Sequence, residues 1–572
     1  MGEDISLLRH SCSHMLAAAV KKLFPSAKLG IGPAIDDGYY YDFDVKTPFT
    51  PEDLKKIEQE MNNIIRSKID FKKQNIDKKE AKKLFKDEPY KLELMEELPD
   101  KVSIYTSGDF VDLCSGPHVE NSRVLKAFKL MKVAGAYWKG DSKNKMLQRI
   151  YGVVFPEKED LKKYMMLLQE AEKRNHVKLG KQLDLFSVHE EAPGMPFFHD
   201  KGAFIFDKLV EFMKEKMRAL NYEINKTPLI LNKNLWVQSG HWDHYKESMY
   251  FTKIDNADYA VKPMNCPGNL LVYKSNVHSY RDLPLKAGEF GLVHRHELSG
   301  VLNGLFRVRS FTQDDAHIFC SEDQLKDSII ELINLVDEVY STFRFTYKVE
   351  LSTKPEKAMG DQKIWDKAEK ALSDAMKSKK MDFKINEGDG AFYGPKLDFH
   401  LTDAIGRTWQ CGTIQVDFSM PEKFGLTYEG KDGKQHTPVM VHRAIYGSVE
   451  RFFGILIEHY AGKFPLWINP LQIKILTVAD KFNKYAEEIK GKMVEEGLRV
   501  SIDKRAESIS KKVRDSQALK IPLIIIIGEK EVDGKTVSVR TLDNKVKFGV
   551  KLDEFISKVN QNISEKKESI IF

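Results

Sequence analysis

His10 and His14 stand four residues apart within an amphipathic run, Arg9–Phe24, so on a helix both imidazoles project from one face. Later in the same segment Cys114 and His118 flank Ser115-Gly116-Pro117, a tight turn able to aim both side chains at one point. Two such pairs have the residue types of a zinc site. They equally suit a metal-free hydrolytic pocket in which imidazoles position water and shuttle protons. An isolated H-x-x-x-H is ordinarily helix surface; the second pair, with Asp112 beside it, argues for a site. A metalloprotease is disfavoured, because the glutamate of H-E-x-x-H is missing.

A second set lies further along the chain. Lys262-Pro263-Met264-Asn265-Cys266-Pro267-Gly268, Phe311-Thr312-Gln313-Asp314-Asp315-Ala316-His317 and Val441-His442-Arg443-Ala444 each contain one residue of zinc-ligand type: Cys266, His317 and His442. A Cys/His/His trio leaves a coordination position open to substrate, as catalytic sites do and structural sites do not. Taken singly, each reads as an ordinary structural residue. Around them lie Arg295 and Glu297, then Arg307 and Arg309, then Glu450-Arg451 after Gly447. A phosphate-bearing ligand would give the arginines partners, since guanidinium forks match phosphate oxygens. Any one pair alone reads as a surface salt bridge. No G-x-G-x-x-G or Walker A sequence is present, so a nucleotide would be held in another way.

The elements that must position these residues fall into four segments. Residues 1–156 open with the helix and continue in Gly- and aromatic-rich strands such as Gly30–Val45 and Val102–Leu113. Residues 157–190 begin with a highly charged stretch, Glu157–Leu185, that reads as a helical linker. In 191–467, strand-like runs (Phe399–Thr402, Thr408–Phe418) mix with helical ones (Gln324–Phe343, Ile364–Lys377) without strict alternation. That pattern predicts α+β with a largely antiparallel sheet. Residues 468–572 give strand, helix, strand, helix, strand through Leu523–Ile527, a small α/β domain.

A chain of 572 residues is too long for one core, and 42% hydrophobic with 30% charged residues describes a globular multidomain protein. Five scattered cysteines, odd in number and without C-x-x-C, are expected to be reduced thiols. A net charge of +6 neither demands nor excludes a nucleic-acid partner. The start of the chain lacks the pattern of a secretory signal, and the most apolar run, Ile521–Gly528, is too short for a membrane span, so a cytoplasmic protein is expected.

Together these segments resemble class II aminoacyl-tRNA synthetases, and among them the threonyl-tRNA synthetases, over essentially the whole chain. Thr227-Pro228, Leu235-Trp236 and Ser239-Gly240-His241-Trp242 resemble motif 1, which in the family builds the dimer interface. Arg295–Phe311 resembles motif 2 and Gly447-Ser448-Val449-Glu450-Arg451 motif 3, while Gly300–Cys320 and Trp409–Phe418 are diagnostic of the threonyl branch. Arg9–Leu16, Tyr39–Asp44, Cys114–His118 and Phe128–Tyr151 resemble the editing domain of bacterial-type members, and the tail resembles their anticodon-binding domain. The fold implied is a class II antiparallel sheet with flanking helices, an N-terminal α+β editing domain and a C-terminal α/β domain.

The resemblance also implies roles. Arg295 would hold the ATP α-phosphate and Glu297 the adenine amino group; Phe311 and Arg451 would sandwich the adenine, with Arg307 and Gln415 also at the nucleotide. Asp315 would accept a hydrogen bond from the threonine hydroxyl, Gln313 and Gln410 would position the reactants, and Met264, Tyr393 and Lys396 would line the activation site. His241 would meet the tRNA 2′-hydroxyl during transfer. Zinc, one per subunit, would be held by Cys266, His317 and His442, and magnesium would accompany ATP. Valine lacks the hydroxyl and would be rejected strongly, whereas serine is only a methyl smaller. A methyl is worth about 1–3 kcal/mol, too little for faithful translation, so a second sieve is needed. His10, His14, Lys91, Asp112, Cys114 and His118 would form it, hydrolysing seryl-tRNA; the family implies a metal-free pocket, although the related alanyl domain carries a metal-ligand set. Glu531 and Arg540 would read anticodon bases, the ordinary alternative being a strand-edge salt bridge.

The implied partners are tRNA(Thr), ATP, L-threonine and a second copy of the chain. Three departures stand out. The chain starts directly at the editing helix, without the ubiquitin-like domain that most bacterial-type members carry there. Asn269 replaces the usual histidine after Cys-Pro-Gly, and Ala506 an asparagine that helps read the anticodon. The rival readings are a prolyl or seryl synthetase, a free-standing deacylase, and an inactive RNA-binding paralogue that regulates translation. Paralogues of that kind usually lose the motif arginines, yet Arg295 and Arg451 are both present.

Overall fold

The computed structural model describes residues 5–567. The chain forms two compact units, Met1–Gln169 and Glu170–Phe572. No helix among the described residues is long and apolar enough to cross a membrane.

In the first unit the opening helix runs Ile5–Leu23, and every residue from Ser11 to Val20 is buried. It is therefore a central helix, where the sequence had predicted an amphipathic one with a solvent face. The reason is that neighbours cover both sides. One is an antiparallel sheet ordered Lys28–Leu29, Gly38–Asp44, Met146–Phe155, Ala127–Tyr137. The other is the helix Pro51–Arg66, started by a capping box in which Thr50 and Asp53 satisfy each other's backbone N–H. Leu8, Cys12, Met15, Tyr41, Phe43, Ile57, Met61 and Ile150 share the resulting core. A separate three-stranded antiparallel sheet, Phe71–Asp77, Lys101–Ser107 and Phe110–Leu113, delivers Asp112 and Cys114.

The charged stretch after Pro156 forms two helices, Lys158–Arg174 and His176–Leu183. The first buries no side chain. Asn175 breaks the run and caps the second, its side chain accepting from the N–H groups of Val177 and Lys178. The second helix buries His176, Leu179 and Leu183 in the second unit.

That unit is built on an eight-stranded sheet in the order Glu223–Ile224, Leu285–His294, Ser310–Cys320, Val439–Ala444, Thr408–Asp417, Lys396–Thr402, Thr346–Ser352, Lys384–Asn386. All pairings are antiparallel except the two at the edges. Helices Asp200–Ala219, Leu325–Thr342, Gln362–Ser378 and Val449–His459 pack on it. Val439–Ala444 is buried at every position, so the polar His442 and Arg443 within it must find partners inside the protein.

The tail forms a five-stranded sheet, Val500–Asp503, Ile473–Thr477, Leu523–Ile527, Thr536–Thr541, Val546–Lys551. Its first three strands are parallel, as the β-α-β-α-β reading predicted, and a C-terminal antiparallel pair and the helix Leu552–Ser564 complete it.

Candidate functional sites

The first site sits where the central helix meets the turn after Phe110–Leu113. Cys114 Sγ lies 3.3 Å from His10 Nε2 and 3.3 Å from His118 Nε2. The ring centroids of His10 and His118, and those of His14 and His118, are 4.2 Å apart. His10 Nδ1 is 3.2 Å from the Pro117 carbonyl, which can only accept, so the ring's proton is on Nδ1 and its Nε2 lone pair faces the thiol. Ser11 Oγ accepts from the N–H of Val119 and lies 3.2 Å from His118 Nδ1. With the hydroxyl donating there, His118 presents N–H at Nε2. One imidazole thus offers a proton acceptor and the other a donor on either side of one sulfur. Gly116, at φ +73°, allows the turn, since a Cβ there would come within 2.2 Å of the Tyr105 hydroxyl.

Behind the rings, Lys91 Nζ is 2.5 Å from Asp112, whose other oxygen accepts from the Tyr41 hydroxyl at 2.6 Å. All six predicted residues of this set converge. Burial lowers the pKa of His10, pushes His118 down to about 2 and raises the Cys114 thiol to about 11. The imidazoles are therefore neutral near pH 7 and the sulfur is protonated. Such a set can relay protons and orient water; it also brings four ligand-type atoms within 4.8 Å of one another. Tyr41 and Ser11 were not singled out from sequence. Tyr41 stands on the strand Gly38–Asp44, where only its inward alternation marks it.

The second site lies on the eight-stranded sheet. Along Ser310–Cys320 the alternation of a strand places Phe311, Gln313, Asp315 and His317 on one face. His442 is the cross-strand neighbour of His317, and their rings meet edge to face at 5.1 Å. Cys266 opens the helix Cys266–Lys274, and its sulfur and the two imidazoles lie within 4.8 Å of one another, all buried. Both ring nitrogens of His317 are buried without a hydrogen-bond partner, while His442 Nε2 is 3.1 Å from Asp417 Oδ2. Orphaned buried imidazole nitrogens beside a thiol and a carboxylate-oriented histidine fit a soft divalent metal such as zinc. Asp417 carries no motif spacing and escaped sequence reading.

Cys266 and His442 border a cavity of about 350 Å³ lined also by Tyr245, Met264, Arg295, Gln313, Asp315, Tyr393 and Gln415, within the range of small-ligand sites. Burial raises the Asp315 carboxyl to about 6, and the Asn265 amide donates to it at 3.3 Å. The Tyr393 hydroxyl donates to Gln415 Oε1 at 2.5 Å. An adjoining cavity of about 480 Å³ shares Arg295, Gln313 and Gln415 and adds Glu297, Arg307, Phe311, Lys396, Gln410 and Arg451.

Two of the arginines there, Arg295 and Arg451, are held by backbone carbonyls. Arg295 donates to the Pro263 carbonyl at 3.2 Å, with its guanidinium 5.0 Å from the Phe311 ring centroid. Arg451 donates to the carbonyls of Phe306 at 2.8 Å and Gln410 at 3.1 Å. Glu450 is 4% exposed and accepts from the N–H of Thr312 at 2.9 Å, and burial raises its carboxyl to about 7. The surface salt-bridge reading therefore fails for Glu450-Arg451, because one side chain points into the sheet and the other into the cleft. Glu297 and Arg307, both lining this cavity, pair with each other at 2.9 Å. Lys396 bridges Asp398 at 2.5 Å and Asp389 at 3.1 Å.

His241 is fully buried behind Met264, with Nδ1 2.8 Å from Ser239 Oγ and Nε2 3.1 Å from Met264 Sδ, and burial pushes its pKa down to about 3. The Asn269 amide donates to buried Glu289 at 3.1 Å, beside the Lys262–Glu289 ion pair at 2.8 Å. In the tail, Glu531 lies in the short helix Glu529–Gly534 and accepts from Gly528 N–H and the Ser538 hydroxyl. Arg540 sits on a strand paired on both sides and donates to Asn544 at 3.1 Å. A strand-edge salt bridge is thus excluded for either residue: neither is on an edge strand, and among the described residues neither makes an ion pair.

Three family models match the chain: "Threonyl and Alanyl tRNA synthetase second additional domain" at 102–151, "tRNA synthetase class II core domain (G, H, P, S and T)" at 250–460, and "Anticodon binding domain" at 468–562. A threonine–tRNA ligase of Desulforamulus reducens is 55% identical over 568 residues, 99% of this chain and 89% of its own length. One of Clostridium tetani gives the same figures. A solved structure, the RNA binding domain of threonyl-tRNA synthetase from Cryptosporidium parvum Iowa II, is 38% identical with a TM-score of 0.66, covering 70% of this chain and 99% of that one. The chain belongs to the threonine–tRNA ligase family of class II aminoacyl-tRNA synthetases.

Proposed function

We propose that residues 191–467 activate threonine with ATP and pass it to the 3′ end of tRNA(Thr), that residues 1–156 hydrolyse seryl-tRNA made in error, and that 468–572 read the anticodon. Residues 157–190 link the first to the second. The observation that carries this reading is that Cys266 and His442, which cluster with His317, line the same cavity as Asp315, Arg295 and Gln313.

Cys266, His317 and His442 would hold zinc, which when bound supplies a Lewis acid that recognises the substrate's amino and hydroxyl groups. Asp315 accepts the hydroxyl hydrogen, and a buried acceptor left without that donor is costly, which sets threonine apart from valine. Tyr393 and Gln415, tied to each other, wall the amino-acid end. As the carboxylate attacks the α-phosphorus, charge builds on the phosphate oxygens where Arg295 offers its free guanidinium edge. Phe311 and Arg451 flank the adenine, and Glu297 accepts from its amino group. Lys396 and Arg307 add positive charge along the phosphates, magnesium travels with ATP, and Gln410 and Gln313 orient the reactants. His241 acts at the transfer step through its contact with Met264, once tRNA enters.

In the first unit, His10 Nε2 accepts the proton of an attacking water and His118 donates to the leaving ribose oxygen. Lys91, Asp112 and His14 orient the seryl group, and Cys114 holds the two rings apart. We read this pocket as working without a metal, because each ring already faces the sulfur at hydrogen-bond distance. Glu531 and Arg540 are assigned to anticodon bases.

We place the enzyme in the cytoplasm as a homodimer. Its cysteines are free, and Leu229, Ile230, Phe251, Ile254, Leu271 and Val272 stand exposed around the motif 1 region. The test separates the two activities. Cys266→Ser is expected to abolish threonyl-tRNA formation while leaving hydrolysis of supplied seryl-tRNA intact, and Cys114→Ala the reverse. Loss of both activities in either variant, with the fold retained, contradicts the assignment.

A further inference from the structure

His176 opens the second, short helix of the charged stretch and is 1% exposed, yet it carries no motif spacing and lines neither cavity. Its backbone N–H and Nδ1 both reach Glu458 Oε1, at 3.0 and 2.7 Å. Its Nε2 is 3.0 Å from the N–H of Leu305. An N–H can only donate, so Nε2 is the lone pair and Nδ1 carries the proton: the ring is held as one neutral tautomer. Leu305 belongs to the loop of motif 2, between Asn303 and Arg307. Gly304, at φ +50°, lies flat on the same ring, for a Cβ there would meet Nε2 at 2.2 Å. Phe306, which lines the nucleotide cavity, packs on the ring with centroids 3.9 Å apart, and its carbonyl accepts from Arg451. Glu458, at the end of the motif 3 helix, is fixed in turn by Arg407 at 2.6 Å.

We infer that His176 is a positioning residue for the ATP site, a tautomer-locked pin that holds the motif 2 loop at the height where Phe306, Arg307 and Arg451 engage the nucleotide. The inference rests on reading that cavity as the ATP site. The loop has no regular ladder to satisfy Leu305 N–H, so the imidazole lone pair supplies the acceptor that sets the loop's position.

The test uses the full chain with His176→Asn, which keeps a donor toward Glu458 and loses the acceptor toward Leu305, and His176→Gln, whose carbonyl oxygen reaches the Nε2 position. In threonine-dependent ATP–pyrophosphate exchange, the Asn variant is expected to raise KM for ATP about tenfold, the effect of one buried donor left unpaired, with KM for threonine within about twofold of the parent. The Gln variant recovers most of the loss. Gly304→Ala, which displaces the loop with His176 in place, raises KM for ATP alone in the same way and serves if His176→Asn folds poorly. Hydrogen exchange at the Leu305 amide is followed on the same samples and does not depend on activity; it should accelerate in the Asn variant and not in the Gln variant. An unmoved ATP KM, an equal rise for both substrates, or an unchanged Leu305 amide overturns the proposal. Absence of exchange activity in the parent would instead count against the site reading, and the amide result would still decide the role of His176.

Discussion

Asp315→Asn separates threonine recognition from everything else in the synthetic site. The carboxylate faces the cavity, is 13% exposed, and has one protein donor, the Asn265 amide at 3.3 Å. Its remaining lone pairs are what a substrate hydroxyl would use. A hydrogen bond to a charged acceptor contributes about 1.5–3 kcal/mol. Exchanging it for a neutral amide is therefore expected to lower kcat/KM for threonine by about 10- to 150-fold, at 1.4 kcal/mol per tenfold. Valine has no hydroxyl to lose, so its already poor kcat/KM should change little, and threonine-over-valine discrimination should shrink by the same factor. The amide is nearly isosteric, so packing and metal content should be preserved. The assay is ATP–pyrophosphate exchange with each amino acid at saturating ATP, with bound zinc measured in parallel. An equal fall for threonine and valine, or an unchanged ratio at full zinc content, would refute the argument that Asp315 reads the hydroxyl.

Other predictions follow from the same geometry. Gly116→Ala should cut seryl-tRNA hydrolysis at least tenfold without changing threonine-dependent exchange, because the added Cβ would drive the turn off Tyr105 and carry Cys114 with it; a deacylation assay beside an exchange assay checks this. Lys91→Met leaves the carboxylate of Asp112 buried without its cation, a loss of about 3–5 kcal/mol. Thermal unfolding should then show an earlier transition for the first unit. Glu450 titrates near 7 when folded and near 4.3 when unfolded, so the folded state binds more protons between those values. Its stabilising contribution is present in full below about pH 4 and is lost as pH rises through 7. Glu450→Gln should accordingly flatten the fall in stability from pH 5 to 7.5 by up to about 3 kcal/mol, read by denaturant titration; a parallel pH profile for both proteins would contradict the burial argument.

Much of the candidate synthetic site's layout was legible in the sequence, and the physical reason is periodicity. Gln313, Asp315 and His317 alternate along one strand, so sequence spacing and spatial face coincide. His10 and His14 do the same on a helix, and the turn around Gly116 announces itself by composition. What stayed hidden were groups that act by burial. Asp417 and Asp314 look like any strand carboxylate, yet one orients His442 and the other accepts from the backbone of Ile445 and Tyr446. Glu450 beside Arg451 looked like a surface pair because sequence does not report which of two adjacent charges faces the core. The opening helix read as amphipathic for a related reason: Ser11, Ser13 and His14 are polar, but each is buried with its neighbours around it. In the tail, the parallel strands were plain from apolar runs, whereas the functional weight of Glu531 and Arg540 rests on matching positions and not on any local signal.

The most direct test of the central claim is threonine-dependent ATP–pyrophosphate exchange by the intact protein, with serine and valine beside it and zinc determined on the same sample. Strong exchange with threonine, weaker with serine, almost none with valine and about one zinc per chain, as a three-ligand site requires, is the expected result. A folded, zinc-replete sample that exchanges with none of the three would contradict it.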